Sequence, residues 1–95
     1  MENNYISILK DHLPQIQEKF GVIGLSVFGS VARGENGSES DVDIFVDMPP
    51  KIFLMSGLKD YIESVLKVSV DLIRKHSHLS SIFLNQLSRD AITIL

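Results

Sequence analysis

The most informative segment of the chain is residues 28–47, FGSVARGENGSESDVDIFVD. Within it, Gly29-Ser30 is followed by ten residues and then by Asp41-x-Asp43. Apolar residues lead into the glycine and surround the two aspartates. This pattern predicts a strand, a tight turn that opens a short helix, a loop and a second strand. Because side chains alternate between the faces of a strand, Asp41 and Asp43 are expected on the same face, roughly 6–7 Å apart.

Two carboxylates held this close repel each other unless a cation lies between them. Mg²⁺ suits such a site, because it binds hard oxygen ligands from one or two carboxylates together with substrate phosphates. The Gly29-Ser30 turn is expected to supply a second component. Free backbone N–H groups at the start of a helix, with the Ser30 hydroxyl, form a binding site for a polyphosphate. A phosphate site next to metal-binding carboxylates indicates nucleotide chemistry.

The rest of the chain predicts one α/β (α+β) domain spanning residues 1–95. We expect a small mixed sheet of three to four strands, with helices packed on one face. The predicted elements are a helix over 3–20 that Pro14 kinks or divides, a strand over 22–28, a turn-helix over 29–33, a loop over 35–40, a strand over 42–47, a helix over 51–66, a strand over 68–73, a helix over 79–87 and a short strand over 91–95.

Asp71 is a third candidate carboxylate. It lies between Val70 and Leu72 in a segment expected to be largely buried, where a carboxylate without a partner is unfavourable. If its strand lies beside residues 42–47, Asp71 joins Asp41 and Asp43. Three carboxylates can hold two Mg²⁺ ions for an in-line phosphoryl displacement, and Asp71 can accept the proton of an incoming hydroxyl. The alternative is an aspartate that faces solvent from a strand.

Composition excludes several classes of function. The chain has a formal net charge of -3, and no basic residue occurs between Gly34 and Pro50. It therefore lacks the basic field of a nucleic-acid-binding protein. Cysteine is absent, which excludes disulfides and thiolate metal sites. No apolar run approaches the ~20 residues of a transmembrane helix, so we expect no membrane association and a cytoplasmic location.

These residues carry a resemblance. The Gly29-Ser30 pair, the spacing to Asp41-x-Asp43 and the wording FGSVARGE…SDVDIFV resemble the nucleotidyltransferase superfamily that includes DNA polymerase beta and kanamycin nucleotidyltransferase. The short length is similar to its smallest branch, the minimal nucleotidyltransferases. A lone Gly-Ser or Asp-x-Asp is a weak signal, but both at this spacing between apolar strands are specific.

The resemblance implies roles for six residues. Asp41, Asp43 and Asp71 would be the metal ligands and catalytic carboxylates, with Asp71 the base. Gly29 and Ser30 would hold the β- and γ-phosphates of ATP. Arg33, which follows the A-R-G-E wording of the family, would contact phosphate or brace the loop.

The resemblance also implies a partner. Minimal nucleotidyltransferases are often encoded beside a HEPN-domain toxin, and in characterised pairs the enzyme is an antitoxin that AMPylates a tyrosine of the toxin with AMP from ATP. We therefore expect a hetero-oligomer with such a partner. About 22 residues follow Ile73, room for one helix and a tail, so we expect a partner surface or a second copy of the chain to complete the acceptor site. Leu54, Met55 and Leu84 fall off the main apolar faces and are candidates for that interface.

Two alternatives remain open at this stage. In the first, the chain is an antitoxin that neutralises its HEPN partner by binding, with little catalysis. In the second, it is a nucleotidyltransferase that acts on a small molecule. Three clustered acids destabilise a fold that does not use them, which favours catalysis over binding alone.

Overall fold

The computed structural model describes residues 5–29, 42–76 and 79–95, and this part of the chain forms four helices and four strands. In chain order they are α1 (Tyr5–Asp11), α2 (Leu13–Phe20), β1 (Gly24–Phe28), β2 (Val42–Asp47), α3 (Ile52–Leu66), β3 (Val70–Arg74), α4 (Ser81–Asp90) and β4 (Ile92–Thr93).

The first helical segment divides as its proline requires. Pro14 lies in the first turn of α2, where its missing N–H leaves no helical hydrogen bond unmade. Gly21 then ends α2 in the left-handed conformation, with φ of 68°, and its N–H donates to the Gln17 carbonyl over 3.0 Å. A residue with a side chain is strained at this φ, which is why glycine terminates the helix.

The strands form one mixed sheet in the order β3-β2-β1-β4. The β1 strand pairs antiparallel with both β2 and β4, whereas β2 and β3 are parallel. Parallel neighbours need a crossover connection, and α3 provides it. The β2 strand is therefore central, with β3 at one edge of the sheet.

The core lies between one face of the sheet and the first three helices. Alternate residues of β2 point into it, while Asp43, Phe45 and Asp47 alternate with them along the strand. The buried apolar residues of the core are Leu9, Ile16, Val22, Leu25, Val27, Val42, Ile44, Val46, Met48, Leu58, Ile62, Leu66 and Val70.

The last helix reaches the opposite face of the sheet through one aromatic residue. The Phe83 ring lies 5.8 Å from the Phe28 ring and 6.1 Å from the Phe45 ring, measured between centroids. Edge-to-face contacts of this kind stabilise aromatic clusters beyond the area they bury. Phe83 thus covers part of the face that carries Asp43.

The expected fold class is confirmed, but the helices do not all pack on one face of the sheet, because α4 lies on the face opposite the first three. The element bounds differ only at some ends. The first strand begins at Gly24 rather than at residue 22, the third at Val70 rather than at 68, and the last helix runs over Ser81–Asp90 rather than 79–87. The predicted turn-helix after Gly29 and the predicted loop over 35–40 lie outside the described residues. No helix in the described part of the chain is both long and apolar enough to cross a membrane.

The central position of Ile44 gives a direct stability test. This side chain is fully buried, so Ile44→Ala should lower the free energy of unfolding by about 2–5 kcal/mol, measured by denaturant titration. Ile23→Ala is the matched control, because Ile23 is 73% exposed and its truncation should change stability by less than about 0.5 kcal/mol. Equal losses in the two variants would contradict the described core.

Candidate active site

The register of β2 and β3 brings Asp43 and Asp71 together. The two residues are direct partners in the parallel pair, Asp43 beside Asp71. Neighbouring strands lie about 4.8 Å apart, and paired residues point to the same face of the sheet. Two aspartates separated by 28 positions in sequence (43 to 71) are therefore neighbours on one face of the sheet.

Gly29 lies against the Asp43 carboxylate. Phe28 is the cross-strand partner of Asp43, so the chain leaves β1 directly beside that residue. Gly29 has φ of 75°, and a Cβ added there would overlap Oδ2 of Asp43 and lie 3.2 Å from its Cγ. Only a residue without a side chain lets the backbone approach the carboxylate this closely.

An aromatic cluster flanks the carboxylates on the same face. Phe28 pairs with Asp43 across β1 and β2, and Phe45 follows Asp43 by two residues on β2. The Phe83 ring of α4 contacts both. The cluster fixes the end of β1 just before Gly29. Sequence reasoning did not single it out, although the alternation of β2 already placed Phe45 on the face of Asp43.

Glu63 was also missed, and it holds the start of β3. Its carboxylate accepts the Val70 N–H over 2.9 Å, and its carbonyl accepts the Lys67 N–H over 2.8 Å. Hydrogen bonds of backbone N–H groups to a carboxylate are among the stronger ones in proteins. Glu63 thus links the last turn of α3 to the residue that precedes Asp71. In the sequence, the only sign of this role of Glu63 was an acidic residue near the end of the crossover helix.

The prediction that Asp71 lies in a largely buried segment was wrong. Asp71 is exposed, and of the five residues of β3 only Val70 is buried. The reason is the strand order, because β3 is an edge strand that α3 covers on one face only. Solvent access at Asp71 leaves the carboxylate open to an incoming ligand.

Three of the six predicted site residues are therefore brought together, namely Gly29, Asp43 and Asp71. Asp41, Ser30 and Arg33 lie outside the described residues. In the described part of the chain, no group of three or more histidine, aspartate or glutamate residues lies close enough to hold a metal ion. The pair Asp43 and Asp71 offers carboxylate oxygens alone, and these are the donors that Mg²⁺ prefers.

The chain is similar in sequence to known proteins along most of its length. Residues 9–93 match the family described as nucleotidyltransferase domain. Over 78 residues, the chain is 44% identical to the protein adenylyltransferase MntA of Thermococcus cleftensis, with 80% of this chain and 79% of that relative covered.

Solved structures share the fold. A protein described as a candidate minimal nucleotidyltransferase superposes with a TM-score of 0.79 at 29% identity, covering 97% of this chain and 95% of that chain. A complex of the tri-AMPylated HEPN toxin of Shewanella oneidensis with its MNT antitoxin contains a chain with a TM-score of 0.67 at 20% identity, covering 100% of this chain and 72% of that one. At this lower identity the likeness shows the fold alone.

The contact between Gly29 and Asp43 gives the test of this site. In Gly29→Ala, the new methyl group displaces the Asp43 carboxylate and strains a backbone of positive φ, so we expect nucleotidyl transfer to fall at least about tenfold. Gly57→Ala is the control, because its Cβ would meet the Phe20 ring, with Cε1 at 3.2 Å and Cδ1 at 4.0 Å, and helix propensity favours alanine.

Activity is measured as the rate of nucleotide transfer, and the thermal unfolding temperature of each variant is measured in parallel. Wild-type activity in Gly29→Ala would show that the close approach is not needed. A loss of activity in Gly57→Ala of equal size would point to a general effect on the fold.

Proposed function

This chain belongs to the nucleotidyltransferase family, and we propose that it is the antitoxin of a toxin–antitoxin pair that transfers AMP from ATP to a tyrosine hydroxyl of a HEPN-domain toxin. The observation that carries the proposal is the placement of Asp43 beside Asp71, with the Gly29 backbone against the Asp43 carboxylate. This arrangement suits a polyphosphate and its cation rather than a structural role.

The carboxylates bind the cation and take up the proton. Asp41, Asp43 and Asp71 would hold two Mg²⁺ ions, which when bound would neutralise the charge that develops on the attacking and leaving oxygens. The acceptor oxygen bonds to the α-phosphorus of ATP, the bond from that phosphorus to the bridging oxygen breaks, and pyrophosphate leaves. Asp71 accepts the proton of the hydroxyl. Its exposure fits this role, because an acceptor from another protein has to reach it.

We assign the departing phosphates to the residues that follow β1. Gly29 brings the backbone close to Asp43, and we assign the β- and γ-phosphates to the backbone N–H groups beside it and to the Ser30 hydroxyl, next to the cation. To Arg33 we assign a contact with phosphate or the bracing of the loop, as the A-R-G-E wording of the family implies. Position and charge then favour in-line departure of pyrophosphate.

The choice of a protein acceptor draws on relatives of the chain. The Thermococcus cleftensis relative is a protein adenylyltransferase, and a complex of a HEPN toxin with its MNT antitoxin contains a chain of the same fold. A further structure of the same fold, at 20% identity and a TM-score of 0.72, is a toxin–antitoxin complex with AMP-PNP. The use of ATP is consistent with a cytoplasmic location, and a hetero-oligomer with the toxin is the functional assembly.

The proposal predicts a mass change in the partner. A purified HEPN-domain toxin incubated with this protein, ATP and Mg²⁺ should gain one or more AMP masses in intact mass spectrometry. Asp43→Asn and Asp71→Asn remove one charge each with little change of shape, and each should slow the transfer by at least about 10²-fold.

Asp47→Asn provides the matched control. Asp47 lies on the same strand and face as Asp43, but its carboxylate lies 3.9 Å from the Lys75 ammonium at the far end of β2. We expect Asp47→Asn to retain transfer within a few fold of the wild-type rate. Full transfer by Asp43→Asn would contradict the mechanism. If the wild-type protein forms a stable complex with the toxin and the toxin gains no mass, the protein neutralises the toxin by binding and not by catalysis.

A further inference from the structure

The outer edge of β3 presents backbone groups for hydrogen bonding. Val42 N–H donates to the Ser69 carbonyl over 3.0 Å, and Lys75 N–H donates to the Val46 carbonyl over 2.7 Å. Hydrogen-bonding groups alternate in direction along a strand, so Asp71 and Ile73 also face β2. The N–H and C=O groups of Leu72 then face outward.

Only the beginning of this edge is covered. The outward Val70 N–H is taken by the Glu63 carboxylate. Beyond it, β3 has no strand partner on its outer side among residues 5–29, 42–76 and 79–95. An open strand edge is a template for pairing with another chain, and proteins usually cover such an edge unless it has a use.

A groove of about 380 Å³ runs beside this edge. Its apolar lining comes from Pro50, from one side of α3 and from β3, and Ser56 and two cationic side chains complete it. The apolar residues are Pro50, Ile52, Met55 and Leu72, and the cationic ones are Lys59 and Arg74. Ile52 is 76% exposed and the neighbouring Phe53 is 89% exposed, so apolar surface continues beyond the groove. Apolar exposure at this level, next to an open strand edge, marks an interaction surface.

The charge of the groove lining indicates which kind of segment binds there. The chain carries a net charge of -3, yet the described lining of the groove includes Lys59 and Arg74 and no acidic residue. A second copy of this chain would bring the same two cations to the interface. An acidic segment of another protein would pair with them.

We propose that the protein substrate docks by adding an extended segment, apolar and acidic in sequence, to the outer edge of β3. Main-chain hydrogen bonds to Leu72 give such a segment its alignment, and the groove takes its alternate side chains. The residue of the segment next to Asp71 shares the face of that carboxylate, so a hydroxyl side chain there lies beside the candidate active site. This inference rests on the proposed function and names how its acceptor is held.

The test uses a displayed library of random eight-residue peptides, selected against the whole protein without nucleotide. The enriched sequences should alternate apolar residues with aspartate or glutamate. The double variant K59E/R74E should weaken their binding at least about tenfold. The control is K10E/K19E, which makes the same change of charge. The Lys19 ammonium lies over the Tyr61 ring, on the side of α3 that packs against Phe20.

Amide hydrogen exchange by NMR then tests the mode of binding. A selected peptide should slow exchange at the Leu72 N–H at least about tenfold and leave Ile73 unchanged, because the Ile73 N–H already faces β2. The proposal is overturned if no sequence is enriched, if the enriched peptides lack acidic residues, if K59E/R74E binds them as the wild type does, or if the Leu72 amide is not protected.

The docking test is separate from the test of catalysis. Asp43→Asn should bind the selected peptides as the wild type does, since Asp43 does not line the groove. If Asp43→Asn loses AMP transfer but still binds the peptides, the result tests the proposed function and leaves the docking surface unaffected. AMP transfer to the toxin that survives K59E/R74E unchanged would overturn the docking surface and leave the chemistry in place.

Discussion

The parallel register of β2 and β3 is the constraint on which the site depends. It places Asp43 beside Asp71 on one face of the sheet. The pairing is held by the α3 crossover and by Glu63, whose carboxylate fixes the first residue of β3. A shift of one residue in this register would turn Asp71 toward the opposite face of the sheet.

The alternation of side chains along β2 puts the residues of the core on one face of the sheet and the candidate site residue on the other. On β2, the even-numbered residues from Val42 to Val46 are fully buried against the helices. Asp43 lies between them on the other face, so its charge is kept out of the apolar core, where it would be strongly unfavourable. Gly29, which has no side chain to exclude a ligand, lies against its carboxylate. Substitutions at the site can therefore alter chemistry without opening the core.

Sequence alone predicted the local structure and part of the site. The period of two over residues 42–47 gave β2 with its observed bounds, and Pro14 and Gly21 marked the limits of α2. These signals are local, since they depend on propensity and on backbone conformation. The pairing of β3 with β2 stayed conditional, because strand order is set by contacts that are distant in sequence.

Features that depend on tertiary packing could not be predicted from the sequence. The exposure of Asp71 follows from the edge position of β3, and the contacts of Phe83 with Phe28 and Phe45 follow from the path of α4. The groove beside β3 joins two elements that no sequence period connects. Of the residues placed off the main apolar faces, Met55 lines that groove, Leu54 packs against the core and Leu84 is 42% exposed.

We propose that Asp43 and Asp71 bind a cation together with the nucleotide, and thermal unfolding with and without Mg²⁺ and ATP tests this most directly. In a chelating buffer, Asp71→Asn should unfold at nearly the same temperature as the wild type, because Asp71 is exposed and substitutions at the surface change stability little. Mg²⁺ with ATP should raise the unfolding temperature of the wild type and have little effect on the variant. The proposal would be contradicted if Asp71→Asn unfolded at a lower temperature than the wild type in the chelating buffer and if Mg²⁺ with ATP raised its unfolding temperature as much as that of the wild type.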